Sequence, residues 1–320
     1  MAYMGLQPFR YRRDGSMERI GKIVDHRQRT IPSVARGTSL VQFMPQNVAA
    51  DTLWVGPVIA EFGHELWIAA MARRAAQAFR SCTVCSRAGR EALYADFATK
   101  FIPHDLACDV SGVHPISVTP EVSAEIARLV GQAGNHPRIR IMEVRNAAHA
   151  EALTHVVYGH PDKAFEGMIV LHARCRNHVP ARNWPMKNWE ALVARLRHDY
   201  PSAKVGSIGS LGAALHVPGT DDLRALPLHR QMDVLRSAKL AVGPSSGPMH
   251  LASLCKCPHV VWCGGNAGEQ NETRTRYESL WNPHQTPAIA LPCQDKTWRI
   301  EPDVVYGGVT KMLERMANVA

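Results

Sequence analysis

The sequence predicts an α/β protein made of two open parallel sheets interleaved with helices. Two observations predict it. Apolar runs of strand length alternate with longer segments of helical period, in two blocks separated by the turn-rich Tyr158-Gly159-His160-Pro161-Asp162. A chain of 320 residues also has the length for two domains, each with a core of its own.

In chain order, residues 1–50 show no sustained period and carry Pro8, Pro32 and Pro45, so they read as an extension with short elements. Leu53–Ala60 is an apolar, strand-like run. Glu61-Phe62-Gly63-His64 reads as a turn, and Glu65–Phe79 as an Ala-rich helix with Leu66, Ile68, Ala69 and Met71 toward a core. Ser81–Ser86 is the next strand, Val122–Gly131 a helix and Arg138–Val144 a strand. The second block opens with Met168–His172, a strand of the type buried on both faces. Asn188–Tyr200 is a helix with Trp189, Leu192, Val193 and Leu196 on one side, and Lys204–Ile208 a strand ending at Gly209. Leu228–Ala238 is a helix, Leu240–Val242 a strand, and a helix starts at Pro248. His259–Cys263 is a strand and Thr310–Ala317 a closing helix. The expected organisation is an extension over 1–50, a first domain over 51–162, a second over 163–300, and a terminal helix over 301–320 that can pack back on the first domain.

Lys and Arg exceed Asp and Glu by 37 − 28 = 9, which suits an anionic partner. The densest basic group is Arg10, Arg12 and Arg13, followed by Arg19, Lys22, Arg27 and Arg29; a solvated tail and a nucleic-acid contact both fit it. No stretch approaches the roughly 20 apolar residues that span a bilayer. The Arg-rich start has no apolar signal core, so a cytoplasmic location is expected. Eight cysteines then read as reduced thiols. Cys82 and Cys85 form a C-x-x-C and Cys255 and Cys257 a C-x-C. Zinc needs four convergent ligands, and Cys255 on a helix with Cys263 ending a strand argues against that; no metal is expected.

The most informative stretch is 239–265. A short strand enters the turn Ser245-Ser246-Gly247, and the helix that follows carries Pro at its start, where a missing N–H costs nothing. Free N–H groups at a positive helix end bind anions, phosphate above all. The candidate donors are the N–H groups of Ser246, Gly247 and Met249, with the His250 imidazole in the first turn. Arg174, Arg176 and Arg182 lie in the loop after the strand ending at His172, and Arg grips phosphate with a fork of donors. Lys187 follows them. Gly209 and Ser210 come after the next strand and could approach a nucleoside closely.

Ser246-Gly247-Pro248-Met249-His250-Leu251-Ala252 resembles the Asp-Ser-Gly-Pro-Met-His-Leu-Ala signature of the heptosyltransferases, glycosyltransferase family 9. Ile169–His172 with Arg182-Asn183-Trp184-Pro185 is similar to the family's strand, loop and Lys-x-Trp-Pro element. Asp222–Gly243 is similar to the loop, helix and strand before the signature. Phe62-Gly63-His64-Glu65-Leu66 stands where the family has a Gly-Asp turn. The resemblance covers 167–265 well and 53–80 weakly. It implies a GT-B fold, two facing Rossmann-like domains with an interdomain cleft, and a metal-independent, inverting transfer of a hexosyl or heptosyl group to a hydroxyl. It implies a nucleotide-sugar co-substrate held by the second domain and no other cofactor. Arg182 then takes the place of the family's phosphate-binding Lys.

Two departures from the family pattern matter. His64 replaces the Asp of the Gly-Asp turn, so the base is His64 or the neighbouring Glu61, with Gly63 and Glu65 completing that turn. Ser245 replaces the Asp before Ser-Gly-Pro, which bears on the sugar pocket or on activity itself. The acceptor can be a glycan, a glycolipid or, given the basic extension, DNA, although no platform for stacking bases is evident. A non-catalytic nucleotide- or glycan-binding relative is the other class.

Overall fold

The computed structural model describes residues 52–106, 120–134, 138–139, 153–177, 179–263, 274, 277–278, 281–293 and 298–318, with strand residues 9–11 and 17–19. The basic group at the start of the chain lies outside the described residues, apart from Arg10 and Arg19, which fall in a two-stranded antiparallel pair, β1 (Phe9–Tyr11) and β2 (Met17–Arg19). The chain divides into two compact units, Met1–His155 and Val156–Ala320.

The first unit holds a parallel sheet of β3 (Thr52–Val55), β4 (Ser81–Arg87), β5 (Lys100–His104) and β6 (Arg138–Ile139), in the order β5-β4-β3-β6. The apolar run after Leu53 is only half strand. Past Val55 the chain turns, the Val58 N–H donates to the Cys85 carbonyl (2.9 Å), and Val58, Ile59 and Ala60 are buried as loop. Helix α1 (Phe62–Ala76) starts earlier than the sequence predicts. Its first i→i−4 bond runs from the Glu65 N–H to the Glu61 carbonyl (2.9 Å), so Gly63 and His64 sit in the first helical turn rather than in a preceding loop. Gly is tolerated there because first-turn N–H groups have no helical partner in any case.

Arg73 ties α1 down. It is 4% exposed, grips Asp96 with two bonds (2.6 and 2.9 Å), and donates to the carbonyls of Leu93 and Thr154. Helix α2 (Pro120–Gly131) places Ile126 and Leu129 against Trp54, Ile59, Cys85 and Leu106. Strand β5 carries Pro103 and is the sheet's edge, where a missing donor is harmless. Of the predicted strand over 138–144, residues 140–144 lie outside the described residues.

The second unit holds six parallel strands: β7 (Ile169–Leu171), β8 (Val205–Ser207), β9 (Asp221–Asp222), β10 (Leu240–Pro244), β11 (His259–Cys263) and β12 (Ala288–Pro292). Their order is β12-β11-β10-β7-β8-β9. Numbered within the unit from the β9 edge, that is 3-2-1-4-5-6, the Rossmann order. Helices α3 (Met186–Asp199), α4 (Leu228–Ser237) and α5 (Gly247–Leu254) make crossovers.

Trp184, Trp189 and Trp262 pack as a triad with centroids 4.9–5.5 Å apart, joined by Leu192, Val193 and Leu196 of α3. The Trp184 indole N–H donates to the Ile300 carbonyl (2.9 Å). Each such apolar side chain contributes about 2 kcal/mol by leaving water. The closing helix α6 (Pro302–Ala317) is longer than the sequence predicts, because Gly307 and Gly308 interrupt its helical pattern. A Cβ on Gly308 would lie 3.1 Å from Val260 and Leu291, so the glycine lets α6 approach the sheet. The buried face of α6 (Val305, Val309, Met312) belongs to this second core.

Three buried imidazoles give the fold an acid limit. His104, His172 and His259 are each at most 5% exposed, and burial lowers each from 6.5 to about 4. Each bonds a carbonyl: Val58, Ile208 and Cys257. A base whose folded pKa is depressed must be neutral to fold, so its contribution is complete above the unfolded value and is lost as pH falls from 6.5 toward 4. Over the three imidazoles the full loss is on the order of 10 kcal/mol at most. Glu65, whose carboxyl burial raises, works in the opposite sense. Urea denaturation should show a clearly lower midpoint at pH 5 than at pH 7; equal midpoints would contradict this reading.

Candidate functional site

In an open parallel sheet a ligand binds beyond the carboxyl ends of the strands, where the strand order reverses. In the second unit that crevice opens between β7 and β10, the strands that continue into His172–Asn183 and into Ser245–His250. Topology alone therefore brings the arginine loop and the Ser-Ser-Gly-Pro turn to one place.

The turn is built tightly. The Ser245 N–H donates to the Trp262 carbonyl (2.8 Å), which docks the end of β10 on β11. Ser246 is the residue before α5, in extended backbone, and its side chain makes no capping bond. Its N–H donates instead to the Tyr277 hydroxyl (3.2 Å), which in turn donates to Ser245 Oγ (3.2 Å). The Met249 N–H donates to the Ser246 carbonyl (3.1 Å). Of the three expected donors, two are thus engaged within the protein, and Gly247 supplies the remaining N–H. Ser246 Oγ is shielded from solvent and has no hydrogen-bond partner among the described residues.

His250 stacks face to face on Tyr277 (5.0 Å, 5°) and meets the edge of Trp281 (4.2 Å). Tyr277 is completely buried, and burial pushes its phenol up, opposed by the Ser245 bond and by the charge of Arg182. The Arg182 guanidinium lies 4.5 Å over the Trp298 ring.

The other arginines divide. Arg174 is 3% exposed and donates to Asn183 Oδ1 (2.5 Å) and to the Val179 carbonyl (3.2 Å). Asn183 also accepts from the Arg176 N–H (3.1 Å) and donates to its carbonyl (2.9 Å). Arg174 is therefore the clamp that shapes the loop, while the Arg176 side chain is half-buried and Lys187 is exposed in the first turn of α3.

Gly209 has φ +124°, and a Cβ there would sit 2.7 Å from Ala214 Cβ and 3.0 Å from His172 Nδ1. Gln231 holds it from both sides, accepting from its N–H (3.1 Å) and donating to its carbonyl (3.0 Å). Ser210 beside it is exposed.

The first unit has its own reversal point at β3, between β4 and β6, and α1 begins beyond it. Glu61 and His64 stand there, with His64 Nδ1 3.9 Å from the Glu61 carboxylate and the side chains 36% and 22% exposed. Glu65, by contrast, is fully buried. It accepts from Ser86 Oγ (2.5 Å) and Tyr94 (3.0 Å), with Arg90 Nε at 3.4 Å. Arg90 covers the Phe62 ring (4.5 Å), and Arg87 donates to the Ala60 carbonyl. Glu65 is thus the anchor of this corner, and the accessible carboxylate and imidazole belong to Glu61 and His64.

Sequence reasoning missed Tyr277, Trp281, Gln231 and Asn183 as parts of the site. The first two follow the signature by some thirty residues with no period to mark them. Gln231 and Asn183 act through hydrogen bonds to backbone that only the folded chain brings near.

Gly209→Ala puts a strained backbone and a clash into the wall of the crevice. It should cost roughly 1–3 kcal/mol of stability, read as a lower urea midpoint; Gly212→Ala, with open space around it, serves as the control.

No family model and no curated protein matches the chain. Solved structures do. ADP-heptose lipopolysaccharide heptosyltransferase II of E. coli aligns over 83% of this chain and 99% of its own, at 14% identity and a TM-score of 0.56. A glycosyl transferase family 9 protein of Veillonella parvula covers 83% of this chain and 98% of its own, at 13% identity and a TM-score of 0.54. The iron-containing dodecameric glycosyltransferase TibC of enterotoxigenic E. coli covers 83% and 77%, at 14% identity and a TM-score of 0.52. The chain has the α/β fold of these proteins, the GT-B fold that the signature resemblance implies.

Proposed function

We propose that this protein is a glycosyltransferase that moves a sugar from a nucleotide-sugar donor to a hydroxyl acceptor, with inversion and without a metal. The observation that supports the reading is the strand reversal in the second unit, where the Gly247 N–H and the unpartnered Ser246 Oγ stand at the start of α5 and the loop carrying Arg182 follows the neighbouring strand β7, within the fold of known heptosyltransferases. No helix among the described residues is long and apolar enough to cross a membrane. The free thiols of the described cysteines support a reducing, cytoplasmic setting.

In the proposed reaction the acceptor oxygen bonds to the anomeric carbon as the bond from that carbon to the diphosphate oxygen breaks. The electron pair leaves with the nucleoside diphosphate. Donors already aimed at the departing charge lower the barrier without reorganising. Arg182, the Gly247 N–H and the Ser246 hydroxyl fill that role, with His250 beside them. The acceptor's proton goes to His64, whose Nδ1 lies 3.9 Å from the Glu61 carboxylate. Glu61 is the other base open to the reaction. A glycan or glycolipid is the proposed acceptor class; the described residues add nothing in favour of DNA.

The test is release of nucleoside diphosphate from a panel of nucleotide-sugars, first selected by thermal shift. Arg182→Ala and His250→Ala should abolish turnover while remaining folded, and unchanged turnover in both would sink the assignment. His64→Ala should slow transfer a hundredfold or more, by roughly the contribution of a general base, with donor binding retained; if Glu61→Ala does this instead, Glu61 is the base. Binding without any release identifies a non-catalytic relative.

A further inference from the structure

The residue before a helix commonly spends its side-chain oxygen on the helix's own unpaired N–H groups. Ser246 does not. The second residue of α5 is Pro248, which has no N–H, and the Met249 N–H is turned to the Ser246 carbonyl (3.1 Å). The turn nevertheless needs something to fix its conformation. That support comes from outside the helix, from the Tyr277 hydroxyl, which accepts the Ser246 N–H and donates to Ser245 Oγ, both at 3.2 Å. One phenol thus braces two successive residues, while its ring lies flat against His250 and edge-on to Trp281.

We infer that Tyr277 is the positioning residue of the diphosphate site: its hydroxyl braces Ser245 and Ser246 in place of a helix cap, leaving Ser246 Oγ and the Gly247 N–H for the ligand, and its ring sets the plane of His250. The inference rests on the reading that the junction of β10 and α5 binds a nucleoside diphosphate. At 245 the serine hydroxyl accepts the phenol's hydrogen. The brace is also stiff, because a buried aromatic packed face-on against an imidazole and edge-on against an indole has little freedom left to lose when the ligand arrives.

The experiment compares the wild type with Tyr277→Phe, Tyr277→Leu and Ser245→Ala. ADP and UDP binding is measured by calorimetry, exchange of the Ser246 amide by hydrogen–deuterium exchange, and the His250 ring resonances by NMR. Tyr277→Phe keeps the stack and loses both hydrogen bonds. It should weaken binding of the diphosphate that the wild type prefers by about tenfold, speed Ser246 exchange, and leave the His250 resonances in place. Tyr277→Leu should also move those resonances. Ser245→Ala, which spares the buried ring, should weaken binding about threefold, and so keeps the test decisive if the tyrosine variants fold poorly. Unchanged affinity or unchanged Ser246 exchange in Tyr277→Phe overturns the role of Tyr277 alone. A wild type that binds neither ADP nor UDP, with Ser246 exchange still quickened in Tyr277→Phe, overturns the diphosphate reading of the site and the inference with it.

Discussion

Parallel pairing is the constraint on which this molecule depends. A parallel strand cannot return through a hairpin; it needs a crossover, and every crossover here sends the next strand in the same direction. All carboxyl ends in a sheet therefore share one edge. In the second unit the chain builds β7, β8 and β9 outward on one side, then returns to lay β10, β11 and β12 on the other. The loops after β7 and β10 leave their strands in opposite directions, and the gap between them is the crevice. The N-terminal end of α5, the arginine loop and the glycine after β8 border it because of this order, not because they are near in sequence.

The crevice is made rigid by buried polar contacts. Arg174 with Asn183 shapes one wall, Gln231 holds the backbone of Gly209 in another, and Tyr277 braces the turn from beneath. Hydrogen bonds in a low-dielectric interior specify geometry strongly, because a misplaced partner leaves a polar group unpaired at high cost. The Trp184, Trp189 and Trp262 triad and the face of α6 give the same loops an apolar floor. The first unit repeats the device on a smaller scale. Glu65 is buried among Ser86, Tyr94 and Arg90, and so fixes the start of α1, where Glu61 and His64 remain accessible.

Much of this was legible in the sequence, and the failures are physical. The strands buried on both faces, such as Ile169–Leu171 and His259–Cys263, announce themselves as unbroken apolar runs. Three edge strands do not: Lys100–His104 and Ala288–Pro292 contain prolines, and Asp221–Asp222 is a pair of exposed acids. An edge strand is only half committed to pairing, so its composition is only half constrained. The start of α1 precedes the expected one for a related reason, since Gly63 looks like a helix breaker but costs little in a first turn.

By itself the sequence determined the alternation of strands and helices, the two-unit organisation, and the Ser-Ser-Gly-Pro-Met-His turn with its upstream arginines. These are local properties, set by periodicity and by which backbone groups a residue can satisfy. The tertiary structure decided which of the candidate groups are accessible. It committed Arg174 and Glu65 to buried scaffolding, engaged the N–H groups of Ser246 and Met249, and brought Tyr277 beneath a turn thirty residues away. The reason is that burial and hydrogen-bond partnership are properties of the whole packed chain. The same arginine can be a ligand grip or a structural clamp, and only what folds around it determines which.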